Sequence, residues 1–331
     1  MSGKQLTREI GRSGVRASAV GLGTWAIGGW MWGGTDEAES IAAIQASLDA
    51  GVTLIDTAPA YGLGRSEEIV GKALAGRRDR AVIATKCGLV WHLQKGRHFF
   101  DQDGKPVHRY LGPDAIIHEV EQSLRRLRTD HIDLYITHWQ DATTPIDETV
   151  RVLEELKAAG KIRAIGASNV DQSELQRYIE TGSLDAIQER FSMIDREIET
   201  GLLPLTVSSG VSTLSYSSLA LGLLSGTVGP DRIFAGDDQR TNNPRFSVAN
   251  REKAKDFSDA IRSVAARHDA SIAQVVIAWT LAQPGITFAL CGARNAAQAL
   301  DNARAGTLRL SVDDLKAIDE ALSAKLAHMD G

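Results

Sequence analysis

Cysteine is nearly absent from this chain of 331 residues: only Cys87 and Cys291 occur. They lie far apart, each at the end of an apolar run and neither with a CxxC partner. That excludes a disulfide framework, a dithiol redox pair and a thiolate zinc site, and leaves two small buried residues. No apolar run approaches the eighteen or so residues of a membrane-spanning helix, and residues 1–16 carry charges without the apolar core of a secretory leader. A soluble, cytoplasmic protein is expected. The formal net charge of -5 gives no electrostatic reason to bind nucleic acid or an anionic membrane. Small molecules are the expected partners. Linker-like stretches and composition breaks are also missing, so residues 1–331 are expected to form one domain.

What is present is ordinary core-forming composition, 43% hydrophobic and 24% charged, in an ordered alternation. Short apolar runs rich in β-branched residues cover 20–25, 53–58, 81–86, 132–138, 163–169, 186–192, 212–218 and 287–292. Between them lie helix-period segments such as Ile146, Val150, Leu153 and Leu156, with Gly51, Gly160 and Gly182 where helices should end. Eight strands separated by helices predict a closed (β/α)8 TIM barrel. Residues 6–10 and 15–20 flank Gly11 to Gly14 and read as an N-terminal β-hairpin plug for the barrel bottom. An extra C-terminal helix is expected from about Asp313 to Lys325. The two long connections, 89–112 and 219–246, both follow strands, on the side where such barrels carry their sites.

Four chemically capable residues fall at the ends of successive runs. The second run ends in Asp56-Thr57-Ala58 with Tyr61 just beyond, the third in Lys86, the fourth in His138. A barrel would gather them at one rim. Hydride addition to a carbonyl carbon requires a proton for the oxygen, and a tyrosine supplies it if its pKa falls toward neutrality. Lys86 would lower that pKa, Asp56 would keep Lys86 charged, and His138 would orient the carbonyl. A Schiff-base role for Lys86, as in barrel aldolases, is disfavoured by the neighbouring acid. Gly21-Leu22-Gly23-Thr24-Trp25-Ala26 matches the dinucleotide fingerprint in form, but no helix opens there, so it reads as the first strand and a glycine-rich aromatic loop.

Over essentially its whole length, from Gly21-Leu22-Gly23-Thr24 to Gly292-Ala293-Arg294, the chain resembles the aldo-keto reductase family. The segments Gly23-Thr24-Trp25-Ala26-Ile27-Gly28-Gly29, Met31-Trp32-Gly33-Gly34-Thr35-Asp36 and Asp56-Thr57-Ala58-Pro59-Ala60-Tyr61-Gly62 are similar to its bacterial subgroup of general stress protein and inositol-cluster reductases. The resemblance implies a barrel enzyme that binds NADP(H) in extended form and reduces aldehydes and ketones, with a tetrad of Asp56, Tyr61, Lys86 and His138. It further implies that Ser168, Asn169 and Gln188 bond the nicotinamide carboxamide and that Tyr216 stacks on the ring. Ser217, Leu219 and Gly222 would lie along the pyrophosphate, Arg240 matches a cofactor-loop arginine of the subgroup, and Gly23, Thr24, Trp25 and Asp56 are further expected cofactor contacts. Gly292, Ala293, Arg294, Gln298 and Asn302 match the adenosine-phosphate site. The forked cation of Arg294 suits a 2′-phosphate and so NADPH over NADH.

The sequence departs from the family at Thr227, where the subgroup has lysine, at His138-Trp139-Gln140 and Ser217-Ser218, where proline is common, and at Gln188-Glu189-Arg190-Phe191-Ser192. Arg190 is a charge inside an apolar run. Trp25, Trp30, Trp32, Tyr61 and Trp139 are the expected substrate pocket, walled by a mobile 89–112 loop. His92, His98 and His108 in that loop do not have zinc-site spacing, and no metal is expected. Two other roles fit the same residues: a cofactor-sensing regulatory subunit, or a sugar or polyol dehydrogenase. A monomer or small homo-oligomer is expected.

Overall fold

The computed structural model describes residues 4–327 and 329. Eight parallel strands close into a barrel: β1 (Val20–Gly23), β2 (Leu54–Asp56), β3 (Val82–Cys87), β4 (Ile132–Thr137), β5 (Ile162–Ser168), β6 (Ala186–Arg190), β7 (Ser212–Tyr216) and β8 (Phe288–Gly292). They pair in chain order, β8 returning to β1. Because both faces of such strands are covered, they read as continuous apolar runs rather than alternations; every residue of β4 is buried. Several runs overshoot their strands. Thr57 and Ala58, for example, follow the end of β2.

Inward side chains of Leu54, Ala84, Leu134, Leu214 and Phe288 fill the barrel and meet Ile10 and Ala17. These two come from an antiparallel hairpin, Thr7–Glu9 with Arg16–Ser18, which plugs the bottom as expected. Gly51, Gly160 and Gly182 follow the helices Glu37–Asp49, Ile146–Ala158 and Gln172–Glu180 with φ of 84°, 74° and 79°, the left-handed closing residue that glycine adopts without strain. The last helix, Val312–Lys325, begins with a capping box from Ser311 and Asp314. No helix of the described residues is long and apolar enough to cross a membrane.

The connection after β3 differs from expectation. Instead of an irregular mobile loop it forms a three-stranded antiparallel sheet, Leu89–Val90, Arg97–Gln102 and Lys105–Arg109. Asp103-Gly104, with φ of 50° and 73°, makes the tight reversal, and positive φ at both central residues is what a two-residue hairpin turn demands. The 219–246 connection contains only short 3-10 turns, Ala220–Ser225 and Pro244–Phe246. It is tied to the loop after β1: the Asp237 carboxylate accepts from the backbone N–H groups of Met31 and Gly33, each at 2.8 Å.

Ile10 is fully buried where the hairpin meets the barrel floor. Ile10→Ala should therefore cost about 2–5 kcal/mol by lost burial and a residual cavity, read as a lower denaturant midpoint at unchanged slope.

Candidate active site

Parallel pairing aligns the strand ends, so residues that finish successive strands share a rim. Asp56 closes β2, Lys86 is the penultimate residue of β3, and His138 follows β4, its N–H donating to the Cys87 carbonyl at 2.8 Å. Lys86 is fully buried and Asp56 is 4% exposed. The Lys86 ammonium donates to both Asp56 carboxylate oxygens, at 2.9 and 3.0 Å, and to the Thr57 carbonyl at 2.8 Å. All three of its protons are thereby used. Burial pulls the Lys86 pKa down while Asp56 pulls it back up.

Tyr61 and His138 complete the four. The Lys86 Nζ lies 5.0 Å from the Tyr61 ring centre, and the Tyr61 and His138 rings meet edge to face with centres 5.9 Å apart. Both rings are half-buried. The surrounding protein, and after it the Asp56 charge, push the Tyr61 pKa well above its ordinary value. The shift runs upward, opposite to the fall toward neutrality that was expected. Burial, followed by the Lys86 charge, holds the His138 pKa well below its usual value, so the imidazole is neutral at pH 7.

The residues expected at the carboxamide form one hydrogen-bonded set. Gln188 Nε2 reaches across from β6 to the Asp56 Oδ1 at 2.8 Å, and Ser168 Oγ donates to the Gln188 carbonyl at 2.6 Å. Asn169 donates to the His138 carbonyl at 2.8 Å and accepts from the Tyr216 hydroxyl at 2.7 Å. Ser168 and Gln188 are buried, whereas Asn169 and Tyr216 remain half-exposed. Arg190, which the sequence left unplaced, is exposed at the end of β6 opposite Tyr216.

Gly23 ends β1, and Thr24 is buried, its hydroxyl donating to the Asp56 carbonyl at 2.9 Å. Thr24 thus braces the rim rather than facing the cleft. Trp25 stacks on Tyr61 at 6.3 Å and meets Trp32 edge-on at 5.5 Å, while Trp30 stacks on Phe100 and Trp139 packs on Phe99. Ser217, Leu219 and Gly222 lie in the turns that leave β7, and Ser217, Ala220 and Leu221 have φ between 48° and 59°.

At the far end, Arg294 donates to the Gly34 carbonyl at 2.8 Å and its N–H to Gln298 Oε1 at 2.9 Å. Asn302 bonds the Gly292 carbonyl at 3.0 Å, with Ala293 buried between. Arg240 is held by both oxygens of Asp238, at 2.9 and 2.6 Å, and lies over the rings of Trp32 and Phe234. The Arg294 charge also acts on Asp238. Thr227 bonds only its neighbour Ser225 among the described side chains. The buried Trp32 Nε1 and Gln239 Nε2 have no protein acceptor. The unpaired Trp32 and Gln239 donors, the Arg294 guanidinium and the Asn169–Tyr216 pair fit a nicotinamide dinucleotide.

Two residues escaped the sequence reading. Arg109 stands on the inserted sheet, its guanidinium 3.8 Å from the Phe99 ring centre and 4.4 Å from that of Trp139. Glu189 accepts the Val170 N–H at 2.9 Å, beneath the left-handed Asn169, whose φ is 56°. No sequence signal marks Glu189, an acid in an apolar run whose partner is backbone. Burial pushes its pKa up to about 8. An acid whose pKa is raised on folding binds more protons folded than unfolded from roughly pH 4.3 up to that value, so the fold loses stability as pH rises through that window. Glu189→Gln, which does not titrate, should melt at a temperature that gains on the parent's between pH 5 and pH 8; parallel melting curves would refute this.

The chain matches the aldo/keto reductase family over residues 19–323. It is 44% identical over 295 residues to the aldo-keto reductase YhdN of Bacillus subtilis, covering 87% of this chain and 85% of that one. It is 41% identical over 321 residues to the NADH-specific methylglyoxal reductase of Escherichia coli, covering 95% and 98%. Among solved structures, the glycerol dehydrogenase of Gluconobacter oxydans superposes with a TM-score of 0.87 at 39% identity over 98% of this chain and 97% of that one. A Klebsiella pneumoniae aldo/keto reductase in complex with NADP and acetate gives 0.72 at 29% identity over 96% and 95%. The chain belongs to the aldo/keto reductase family, and reduction of carbonyl compounds with a nicotinamide cofactor is the chemistry its barrel mouth serves.

Proposed function

We propose that this protein is a cytoplasmic, NADPH-preferring reductase of aldehydes and ketones in which Tyr61 is the general acid, His138 orients the carbonyl, and Asp56 with Lys86 fixes both. A bound reduced nicotinamide supplies the hydride. The observation that carries the reading is the geometry at the rim, where the Tyr61 and His138 rings meet edge to face 5.9 Å apart beside the Lys86–Asp56 pair. Tyr61 has a phenolic proton to give when negative charge develops on the substrate oxygen, and the burial and Asp56 charge that raise its pKa must be offset by what binds beside it. His138 is held neutral, so one ring nitrogen donates a hydrogen bond without competing as an acid. Lys86, saturated by Asp56 and Thr57, has no lone pair for imine chemistry and instead supplies a fixed positive field.

Preference for NADPH rests on Arg294, half-exposed at the start of the helix Ala296–Ala305. The Escherichia coli relative is NADH-specific, and the Klebsiella structure holds NADP. Here the guanidinium beside Asn295 and Gln298 offers a fork to a 2′-phosphate. The Asp238 carboxylate works against it by taking Arg240 out of play.

Cofactor oxidation followed with a panel of aldehydes, dicarbonyls and sugars tests the whole reading. Tyr61→Phe should lower turnover by about 10² or more with little change in cofactor affinity; unaltered turnover would remove Tyr61 from the acid role. Arg294→Ala should weaken NADPH binding by about tenfold and leave NADH nearly unaffected, as read by quenching of tryptophan fluorescence.

A further inference from the structure

The inserted sheet turns one face toward the barrel mouth. Leu89 and Arg109 are directly opposite in its register, and Val107 is two residues from Arg109, so all three project to the same side. Val107 and Leu89 are buried there against Ala60, the neighbour of Tyr61. Arg109 therefore faces the mouth. Its guanidinium lies against both Phe99 and Trp139, two neighbouring rings tilted at 60° to each other, and Trp139 follows His138 in the chain.

The charge of Arg109 is uncompensated. Among the described residues no carboxylate lies within 4.0 Å of its nitrogens, although 26 other ion pairs meet that limit, and its buried Nε has no acceptor. The charged groups that bear on it are Arg97, which repels it, and Glu174 of the helix Gln172–Glu180, which attracts it from beyond pairing distance. The other arginines of the mouth are engaged, Arg240 by Asp238 and Arg294 by the Gly34 carbonyl. Ring contacts satisfy none of the guanidinium N–H groups, and its planar fork matches a carboxylate or phosphate in a two-point contact. A half-buried cation that only packed would be poorly compensated in this wall.

We propose that Arg109 anchors the anionic end of the substrate, so that the preferred substrates are short aldehydes and ketones carrying a carboxylate or phosphate at the end remote from the carbonyl. The proposal rests on the carbonyl-reductase reading. The carbonyl sits between Tyr61 and His138, and Arg109, reached along Trp139, fixes the far end. Binding energy taken remote from the reacting carbon aligns that carbon without entering the chemical step.

The test compares substrates matched except for charge: butanal against succinic semialdehyde, and glyceraldehyde against glyceraldehyde 3-phosphate, with the parent and with Arg109→Met and Arg109→Lys. The parent should favour at least one anionic member over its neutral partner by tenfold or more in kcat/KM, chiefly through KM, and which pair shows the preference separates carboxylate from phosphate. Arg109→Met, which keeps the packing, should erase that preference while holding neutral rates within about twofold; Arg109→Lys should retain part of it. Succinate, which cannot be reduced, should quench tryptophan fluorescence in the parent and not in Arg109→Met. Equal rates for charged and neutral partners in the parent, or an equal loss on both in Arg109→Met, would show that Arg109 only packs. If the parent reduces neither neutral nor charged carbonyls, the reductase reading fails and this inference with it; if it reduces neutral ones without charge preference, this inference alone fails.

Discussion

The buried ion pair between Asp56 and Lys86 organises the catalytic end of this barrel. Two charges taken from water into a protein interior cost several kcal/mol each unless geometry returns it. Here the hydrogen bonding is complete: the ammonium has three acceptors, and one carboxylate oxygen also accepts from Gln188, although burial still leaves the Lys86 pKa lowered. Since Gln188 sits on β6, well away from β2 and β3 around the barrel, the pair ties distant strands at their ends. The rest of the rim hangs from that tie. Ser168 bonds the Gln188 carbonyl, Asn169 bonds Ser168 and the His138 carbonyl, and Tyr216 bonds Asn169.

The two charges of the pair act on different neighbours. Asp56, after burial itself, makes the Tyr61 phenol hold its proton, while Lys86, again after burial, keeps the His138 imidazole neutral. The sequence already placed these four residue types at strand ends, and the barrel follows from the count and spacing of its apolar runs. What it did not reveal was where the third proton of Lys86 goes. That depends on the Thr57 carbonyl, a backbone atom whose direction is settled by how the chain leaves β2.

The inserted sheet was hidden for a related reason. Its turn was legible in Asp103-Gly104, but the alternation that marks a strand is broken by an irregularity between His98 and Phe100, which puts two aromatic residues side by side. Periodicity then reads as a loop rich in rings. Arg240 shows another limit of the sequence reading. Its pairing partner is only two residues away in Asp238, a contact within its own loop that no periodicity marks.

Strain accumulates where these loops leave the strands. Met31, Leu63, Asn169, Ser217, Ala220 and Leu221 are all in the left-handed region without being glycine, at about 1–3 kcal/mol each. Such residues persist only where neighbours over-determine them, and the neighbours are visible: Glu189 holds the chain at Val170, Tyr216 holds the Asn169 side chain, and Asp237 holds the Met31 backbone. Left-handed non-glycine residues elsewhere, Asp103, Arg128 and Asp269, make a hairpin turn or follow helix ends, where that conformation serves the chain's own hydrogen bonds. The six at the mouth stand instead where the chain leaves the strands, and there the backbone turns its amides and side chains toward a ligand rather than toward itself.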